Sequence, residues 1–203
     1  MSAEKQQGRG KDQFRKFRKC LSALAAFYKI FPIKMRIRFL EKRRYTRGKL
    51  GLGIRYALLK SIAKQCGDNV VIYPGAYIFN PQNLIVGSNV SIQPMCYIEC
   101  SEEPGAVQID DDVSISHGVT IMATTHVFKD TSVCIKDQGV ETKPVHICQD
   151  VWIGAKATIL AGVTIASGCV IGANAVVTKT TQENGIYVGI PARRIKDRTD
   201  EGN

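Results

Sequence analysis

The stretch ICQDVWIGAKATILAGVTIASGCVIGANAVV, residues 147–177, carries a period that decides the architecture. Steps of six from Ile147 meet Ile153, Ile159, Ile165, Ile171 and Val177, all β-branched and aliphatic. Four places beyond the first five stand Val151, Ala157, Val163, Cys169 and Ala175, small or medium and apolar, with Gly, Ala, Ser, Asp and Asn frequent between. A period of six fits neither the 3.6-residue helix nor the two-residue alternation of a simple strand. It fits a short strand followed by a turn: β-branched residues suit the pleat, and Gly, Asn and Asp suit the turn. Three such units close a triangular coil whose step residues point inward and stack on their equivalents above and below. One coil cannot bury its own apolar face, so coils must stack as in any solenoid.

The same register runs upstream through Cys66, Ile72, Ile78, then Val86, Ile92, Ile98, then Ile109, Ile115, Ile121. Val70, Ala76, Val90, Cys96, Val113 and Val119 keep the small apolar position four places on. Fifteen step positions, of which all but Cys66 are Ile or Val, predict about five coils, above the ~3 that a stable stack needs. An ordinary sandwich of short strands does not account for this period. The register breaks three times, with two extra residues after Ile78, five after Ile98 and twenty after Ile121. The last break is a long excursion, residues 122–146, and long loops in compact domains are usually functional.

Around this frame the composition is that of a globular chain: 203 residues, 44% apolar and 23% charged. The net charge of +10 is unevenly placed. Residues 1–64 carry nineteen Lys and Arg against Glu4, Asp12 and Glu41, and the rest is mildly acidic. That asymmetry predicts a basic appendage whose partner is nucleic acid, an anionic membrane surface, or nothing specific. Seven cysteines without a C-x-x-C pair exclude a zinc ribbon or thioredoxin-type motif and suit a reducing compartment. The apolar run Leu21–Phe31 is interrupted by Lys29 and lacks a small-residue cleavage site, so a signal peptide is not expected. A spanning helix needs ~20 apolar residues, and no such run occurs.

In three places the chain resembles the hexapeptide-repeat acyltransferases, and within them the galactoside, maltose and capsular-polysaccharide O-acetyltransferases. These are Thr124-Thr125-His126 on the excursion, Val151-Trp152-Ile153-Gly154-Ala155, and Val177-Thr178-Lys179 followed by Gly189-Ile190-Pro191-Ala192-Arg193. The resemblance covers residues 65–198. It implies a mainly β fold, a left-handed parallel β-helix, assembled as a homotrimer with active sites between subunits. It also implies acetyl-CoA as acyl donor and a sugar or polysaccharide as acceptor. The chain then divides into a basic helical region (1–64), the β-helix domain (65–198) and a short tail (199–203).

Such an enzyme must make a sugar hydroxyl attack a thioester. The hydroxyl is a poor nucleophile at neutral pH, and a neutral imidazole with a pKa near ~6.5 can take its proton as attack proceeds. No acyl-enzyme is required, because holding both substrates together supplies much of the acceleration. His126 opens the excursion, as the catalytic His does in the resembling family, and is the expected general base; a solvated loop histidine is the competing reading. His117 lies on an outward turn and is expected at the substrate rim, while His146 precedes a core Ile and reads as structural. Three His separated by nine and twenty residues, with Cys148 nearby, give no recognisable ligand spacing, so no metal is expected. Cys66, Cys96 and Cys169 fall on repeat positions where a small buried apolar group is wanted. Cys134 has no adjacent base.

The resemblance assigns further roles. Trp152 walls the acceptor pocket, or packs between subunits. Gly154, Ala155 and Ala173 lie where backbone approaches the pantetheine arm, and lack of bulk permits that. Thr178 and Lys179 match contacts near the nucleotide end. Arg193 and Lys196 match basic positions able to pair with the coenzyme phosphates, or form a solvated tail. Met95 stands where the galactoside enzymes carry an acceptor-binding Asn, and a thioether cannot make those hydrogen bonds. A different acceptor from a simple galactoside is therefore expected. Lys136, Asp137, Gln138, Gly139 and Glu141 are candidates for reading it, with Glu141 placed to orient His126.

Residues 12–64 read as helical, broken at Pro32, with Gly48, Gly51 and Gly53 as a linker and Tyr56–Ala63 as a helix capping the coil stack. Basic amphipathic helices with aromatics can lie in an anionic membrane interface, so peripheral membrane contact through residues 12–47 is expected. Nucleic acid is not, for want of a recognition module. The expected activity is acetyl-CoA-dependent O-acetylation of a surface polysaccharide or its precursor, in the cytoplasm or at the inner membrane face. Transfer to serine or an amino sugar is the alternative within enzymes, and a non-catalytic membrane-bound scaffold the alternative outside them.

Overall fold

The computed structural model describes residues 4–199 except Pro104, with side chains from residue 12 onward. The tail predicted for 199–203 therefore lies, beyond Thr199, outside the described residues.

Residues 65–177 wind into five coils of three short strands, as the six-residue step requires. The first coil is β1 (Gln65–Cys66), β2 (Val71–Ile72) and β3 (Tyr77–Phe79); the second is β4 (Leu84–Val86), β5 (Ser91–Ile92) and β6 (Tyr97–Glu99). The third is β7 (Val107–Ile109), β8 (Ser114–Ile115) and β9 (Thr120–Met122), after which β10 (Thr124–His126) and β11 (Val140–Thr142) leave the stack. The fourth is β12 (Val145–Ile147), β13 (Trp152–Ile153) and β14 (Thr158–Ile159); the fifth is β15 (Thr164–Ile165), β16 (Val170–Ile171) and β17 (Val176–Val177). Stacking makes three parallel sheets: A from β1, β4, β7, β12 and β15; B from β2, β5, β8, β13 and β16; C from β3, β6, β9, β14 and β17.

Step residues pair with step residues. Ile72, Ile92, Ile115, Ile153 and Ile171 form one inward column on sheet B. Ile78, Ile98, Ile121, Ile159 and Val177 form another on sheet C. Most are wholly buried, as are the small residues four places on. Each fully buried Ile contributes about 1.5–3 kcal/mol relative to exposure. The turns between sheets A and B each hold one left-handed residue, Asn69, Asn89, Asp112, Asp150 or Gly168. Asn and Asp tolerate that region because their short side chains bond locally.

All three register breaks fall at the same place, the corner between sheets C and A. The first holds a 3-10 turn, Pro81–Asn83, and Asn83 donates through Nδ2 to the Ser101 carbonyl of the second at 2.7 Å. The third is not an open loop: β10 and β11 pair antiparallel into a ribbon. Its limits tighten from the expected 122–146 to 123–144, because Met122 and Val145 stay in the ladders of sheets C and A. Lys143 N–H donates to Ala123 C=O at 2.8 Å and closes the base. Beyond the fifth coil, β18 (Gly185–Gly189) joins sheet B beside β16, and β19 (Ala192–Asp197) folds back on it antiparallel.

Three helices precede the coils: α1 (Glu4–Tyr28), α2 (Ile33–Lys42) and α3 (Gly48–Ile62). Pro32 is the N-cap of α2, so the predicted break lies there. The predicted linker at Gly48–Gly53 is instead the first half of α3. Two of its glycines serve close approach: a Cβ on Gly51 would stand 2.1 Å from the Thr46 carbonyl oxygen, and one on Gly53 3.2 Å from Leu21. The rest of α3 caps the first coil as expected, with Tyr56 and Leu59 in the coil core. Arg55, 1% exposed, donates from Nε to Ile72 C=O at 2.8 Å and from Nη1 to Thr46 C=O at 2.6 Å, tying the helices to β2.

Asp68, in the first A–B turn, receives Lys60 Nζ from α3 at 2.9 Å and Arg18 Nε from α1 at 2.8 Å. The Lys60 hydrogen bond, helped by the charges of Lys60 and Arg18, holds the Asp68 carboxyl below its ordinary value. A depressed carboxylate stabilises the fold above its unfolded pKa of ~3.9, and that contribution is lost as pH falls through the lower folded value. Thermal melts from neutral pH down to acid should therefore show Asp68→Asn melting lower than wild type near neutrality, the two converging in acid. Parallel curves would mean that the cap does not depend on this charge.

Candidate active site

His126 ends β10 and is exposed, opposite Val140 on β11. Its imidazole has no hydrogen-bond partner among the described residues, so the ring is open to a substrate. The ribbon fixes the backbone on either side, since Val127 N–H donates to Gly139 C=O at 3.1 Å. Side chains alternate faces along a strand, so Thr124 shares the His126 face while Thr125 does not. Thr124 Oγ1 donates a short hydrogen bond to Glu99 Oε1, which roots that face on β6. Glu99 is a carboxylate the sequence reading passed over; it stands on an outward position beside the second register break.

The excursion residues expected to read the acceptor divide. Glu141 pairs across the ribbon with Thr125, on the face away from His126, and its carboxylate meets Lys143 Nζ at 2.6 Å. The expectation that Glu141 orients His126 is corrected by this two-residue alternation. Gln138 is engaged in the loop itself: Nε2 donates to the carbonyls of Asp130 and Val133 at 2.7 and 2.8 Å, and Oε1 accepts from Asp130 N–H at 3.1 Å. Lys136 is exposed and ion-paired with Asp137 at 2.7 Å. Gly139 takes a φ of +87° at the start of the returning strand, which fits its place beside β11.

A second group of expected residues gathers along the corner between sheets B and C. Trp152, on the outer face of β13, is 53% exposed, and its Nε1 donates to Ser116 Oγ at 3.0 Å on the coil below. His117 follows Ser116 at the corner and is exposed; its carbonyl accepts from Lys156 N–H at 2.9 Å. Met95 lies one coil further down, 63% exposed, with φ at +61°. That conformation is uncommon for a residue with a long side chain and is one Asn adopts readily. The Asn-to-Met departure thus has a turn-geometry meaning as well as a chemical one.

Ala155 and Ala173 occupy the same corner on the fourth and fifth coils, where Asn174 N–H donates to Ala155 C=O at 2.9 Å. Gly154 is buried, and a Cβ on it would stand 2.6 Å from Ala173 N and 2.7 Å from Ile171 O. Its missing side chain therefore serves coil-to-coil approach, a structural reason that the resemblance did not supply. Thr178 and Lys179, both exposed, leave β17 at the C–A corner. Arg193 and Lys196 are exposed on β19, opposite Val188 and Ile186, beyond the last coil.

The thiols of Cys66, Cys96 and Cys100 behave as packing groups. Burial pushes Cys66 and Cys100 up to about 12 and raises Cys96 as well, which keeps them neutral. Asp110, His146 and Cys148 come together on the outer face of sheet A although 36 residues separate the first two, because β7 and β12 are neighbours. His146 Nε2 and Asp110 Oδ2 are 2.8 Å apart and satisfy one another, with Cys148 Sγ 3.9 Å from Nδ1. The three ligand atoms lie within 4.8 Å of one another.

One chain therefore sets His126 at the C–A edge of the prism and Trp152, His117, Met95, Ala155 and Ala173 at its B–C edge. The outer face of sheet C lies between them.

Comparison with known proteins gives a match of residues 144–179 to the bacterial transferase hexapeptide (six repeats) model. The chain is similar to galactoside O-acetyltransferase of Escherichia coli K12, 31% identical over 146 residues, 72% of this chain and 70% of that protein. It is similar also to WbbJ of the same organism, provisionally named a lipopolysaccharide biosynthesis O-acetyl transferase, 27% identical over 74% of this chain and 69% of that one. An acetyltransferase of Mycobacterium tuberculosis is 40% identical over 92 residues, so the chain spans 31% of that longer protein. Among solved structures, AntD of Bacillus cereus, an N-acyltransferase in complex with dTDP and 3-hydroxybutyryl-CoA, superposes with a TM-score of 0.58 at 25% identity. It covers 69% of this chain and 86% of its own.

Proposed function

The chain belongs to the hexapeptide-repeat family of acetyltransferases, and from that premise we propose that it transfers the acetyl group of acetyl-CoA to a hydroxyl of a surface-glycan sugar, with His126 as general base. The observation that carries this reading is the exposed imidazole of His126, unpartnered among the described residues, at the end of a ribbon anchored to the stack. The galactoside and lipopolysaccharide relatives favour a sugar hydroxyl, and the acyl-CoA held by AntD favours a coenzyme-A thioester as donor.

In this mechanism His126 accepts the hydroxyl proton as the sugar oxygen bonds to the thioester carbonyl carbon. The tetrahedral adduct collapses with cleavage of the carbon–sulfur bond, and the imidazolium returns its proton to the departing thiolate. Alcohol and thioester become ester and free coenzyme A thiol, and the enzyme ends in its starting protonation state. Trp152 walls the acceptor, Ala155 and Ala173 flank the pantetheine arm, and Lys179, Arg193 and Lys196 lie toward the coenzyme phosphates. Glu99, through Thr124, positions the ribbon face that bears His126. AntD's amide chemistry makes an amino sugar the second acceptor class to try.

The test is direct: purified protein with acetyl-CoA and candidate glycans, following release of free thiol. No release above background with any acceptor would leave the scaffold reading in its place.

Because the two groups of site residues lie on different edges of one chain, the reading requires a homotrimer whose neighbours complete each site. Mixing His126→Ala with Trp152→Ala chains and reassembling them should restore activity that neither variant has alone. Random mixing puts both intact residues at about a quarter of the sites. No recovery in verified mixed trimers would mean that the site is formed within one chain.

A further inference from the structure

The acetyl-transfer reading leaves unexplained the most charged part of the molecule. Residues 12–47 carry twelve Lys and Arg against Asp12 and Glu41. α1 and α2 both lie against α3, and their inner faces are used there: the rings of Phe14 and Tyr56 meet edge-on with centroids 5.3 Å apart.

At the tip where α1 passes into α2 the apolar side chains turn outward. Phe27, Ile30, Ile33 and Met35 are 53%, 75%, 41% and 41% exposed. Single exposed apolar residues are normal, but these four fall within nine residues at one turn of the chain. The rings of Phe27, Phe31 and Phe39 touch in series at 5.6 and 5.7 Å. Lys29, Lys34 and Arg38, all exposed, interleave with them in sequence. No helix among the described residues is long and apolar enough to cross a membrane.

A surface that offers both an apolar cluster and a collar of cations is complementary to a partner with apolar and anionic layers in close succession. A nucleic acid matches the cations but offers nothing to Ile30 and Ile33. A lipid bilayer bearing anionic headgroups matches both, the phosphates taking the cations and the acyl boundary taking the apolar groups. We propose that the tip formed by the end of α1 and the start of α2 docks this protein on an anionic membrane surface. Phe27, Ile30, Ile33 and Met35 enter the headgroup–acyl boundary while Lys29, Lys34 and Arg38 face lipid phosphates. The docking rests on charge and exposure, independently of the acetyl-transfer reading, to which it adds a glycan acceptor presented at the same membrane.

Flotation of the full-length protein with vesicles tests this. Wild type should float with vesicles of phosphatidylcholine mixed with phosphatidylglycerol, and not with phosphatidylcholine alone. Raising ionic strength from about 0.05 to about 0.5 M should weaken the association, as screening requires. Ile30→Ser with Ile33→Ser, and separately Lys29→Gln with Lys34→Gln, should each lower partitioning at least about tenfold. These side chains are exposed, so melting curves should stay at the wild-type position and certify the fold. Failure of wild type to float, or unchanged flotation of both double variants, would overturn the proposal. So would a fall in oligomer size of the tip variants by light scattering with vesicle binding intact, which would make the tip a contact between copies. Salt-sensitive binding to duplex DNA without vesicle binding would overturn it in favour of nucleic acid. The two readings fail separately: His126→Ala should float like wild type, and the tip variants should keep wild-type thiol release with a soluble acceptor.

Discussion

Replacing His126 by alanine should lower acetyl transfer by about 10²–10⁴-fold, the usual contribution of a positioned general base. The side chain is exposed and unpartnered among the described residues, so its loss should leave the melting temperature unchanged. That combination separates a chemical role from a structural one. The proton relay acts in the transition state, so kcat and kcat/KM should fall together while the KM for acetyl-CoA holds. Glu99→Gln is the companion variant. It keeps a hydrogen-bond acceptor for Thr124 but weakens that bond by removing the carboxylate charge, so a smaller loss is expected. Wild-type thiol release by His126→Ala would remove the histidine from the chemistry and with it the central assignment. His117→Ala, at the other edge, would be the next variant to measure.

Gly154→Ala should give the opposite profile, a loss of fold rather than of chemistry alone. The new Cβ would stand 2.6–2.8 Å from backbone atoms of residues 171–173 on the next coil. Backbone cannot swing aside as a flexible side chain can. Either the fifth coil lifts, breaking the bonds from Gly154 N–H to Ile171 C=O at 2.7 Å and from Asn174 N–H to Ala155 C=O at 2.9 Å, or the fourth coil bends. Overpacking of this kind costs about 3 kcal/mol, at the upper end of its usual range. For a chain of this length that lowers the melting temperature by about 6–12 °C. A melting temperature within about 2 °C of wild type would show that the coils can separate freely there, and the glycine would then be explained by the coenzyme arm alone.

The two variants also mark where reading the chain succeeds. The coil was legible because a period of six has one physical solution, and isoleucines such as Ile115 and Ile153 had to stack once the chain closed on itself. The three insertions were legible as breaks, and each follows a run of three steps, which is why they share one corner, the one after a sheet C strand. The linker expected at Gly48–Gly53 misread its glycines as punctuation. They lie inside α3, where the bare Cα of Gly51 and of Gly53 lets it approach the Thr46 carbonyl and Leu21. Glu141 was placed beside His126 because both lie on the excursion, whereas antiparallel pairing puts it across from Thr125. Glu99 was overlooked because 25 residues separate it from its partner Thr124.

By itself the sequence determined the solenoid, its number of coils, the excursion with its histidine and the basic appendage. Each is written in spacing, composition or charge, quantities that survive in an unfolded chain. Only the tertiary structure decided which side chains share a face. It set His126 apart from Trp152, turned Glu141 away, engaged Gln138 within the loop and exposed the apolar tip of the helices. Those outcomes depend on strand pairing and on the side of each element that meets a neighbour, which come into being only when distant parts of the chain are packed together.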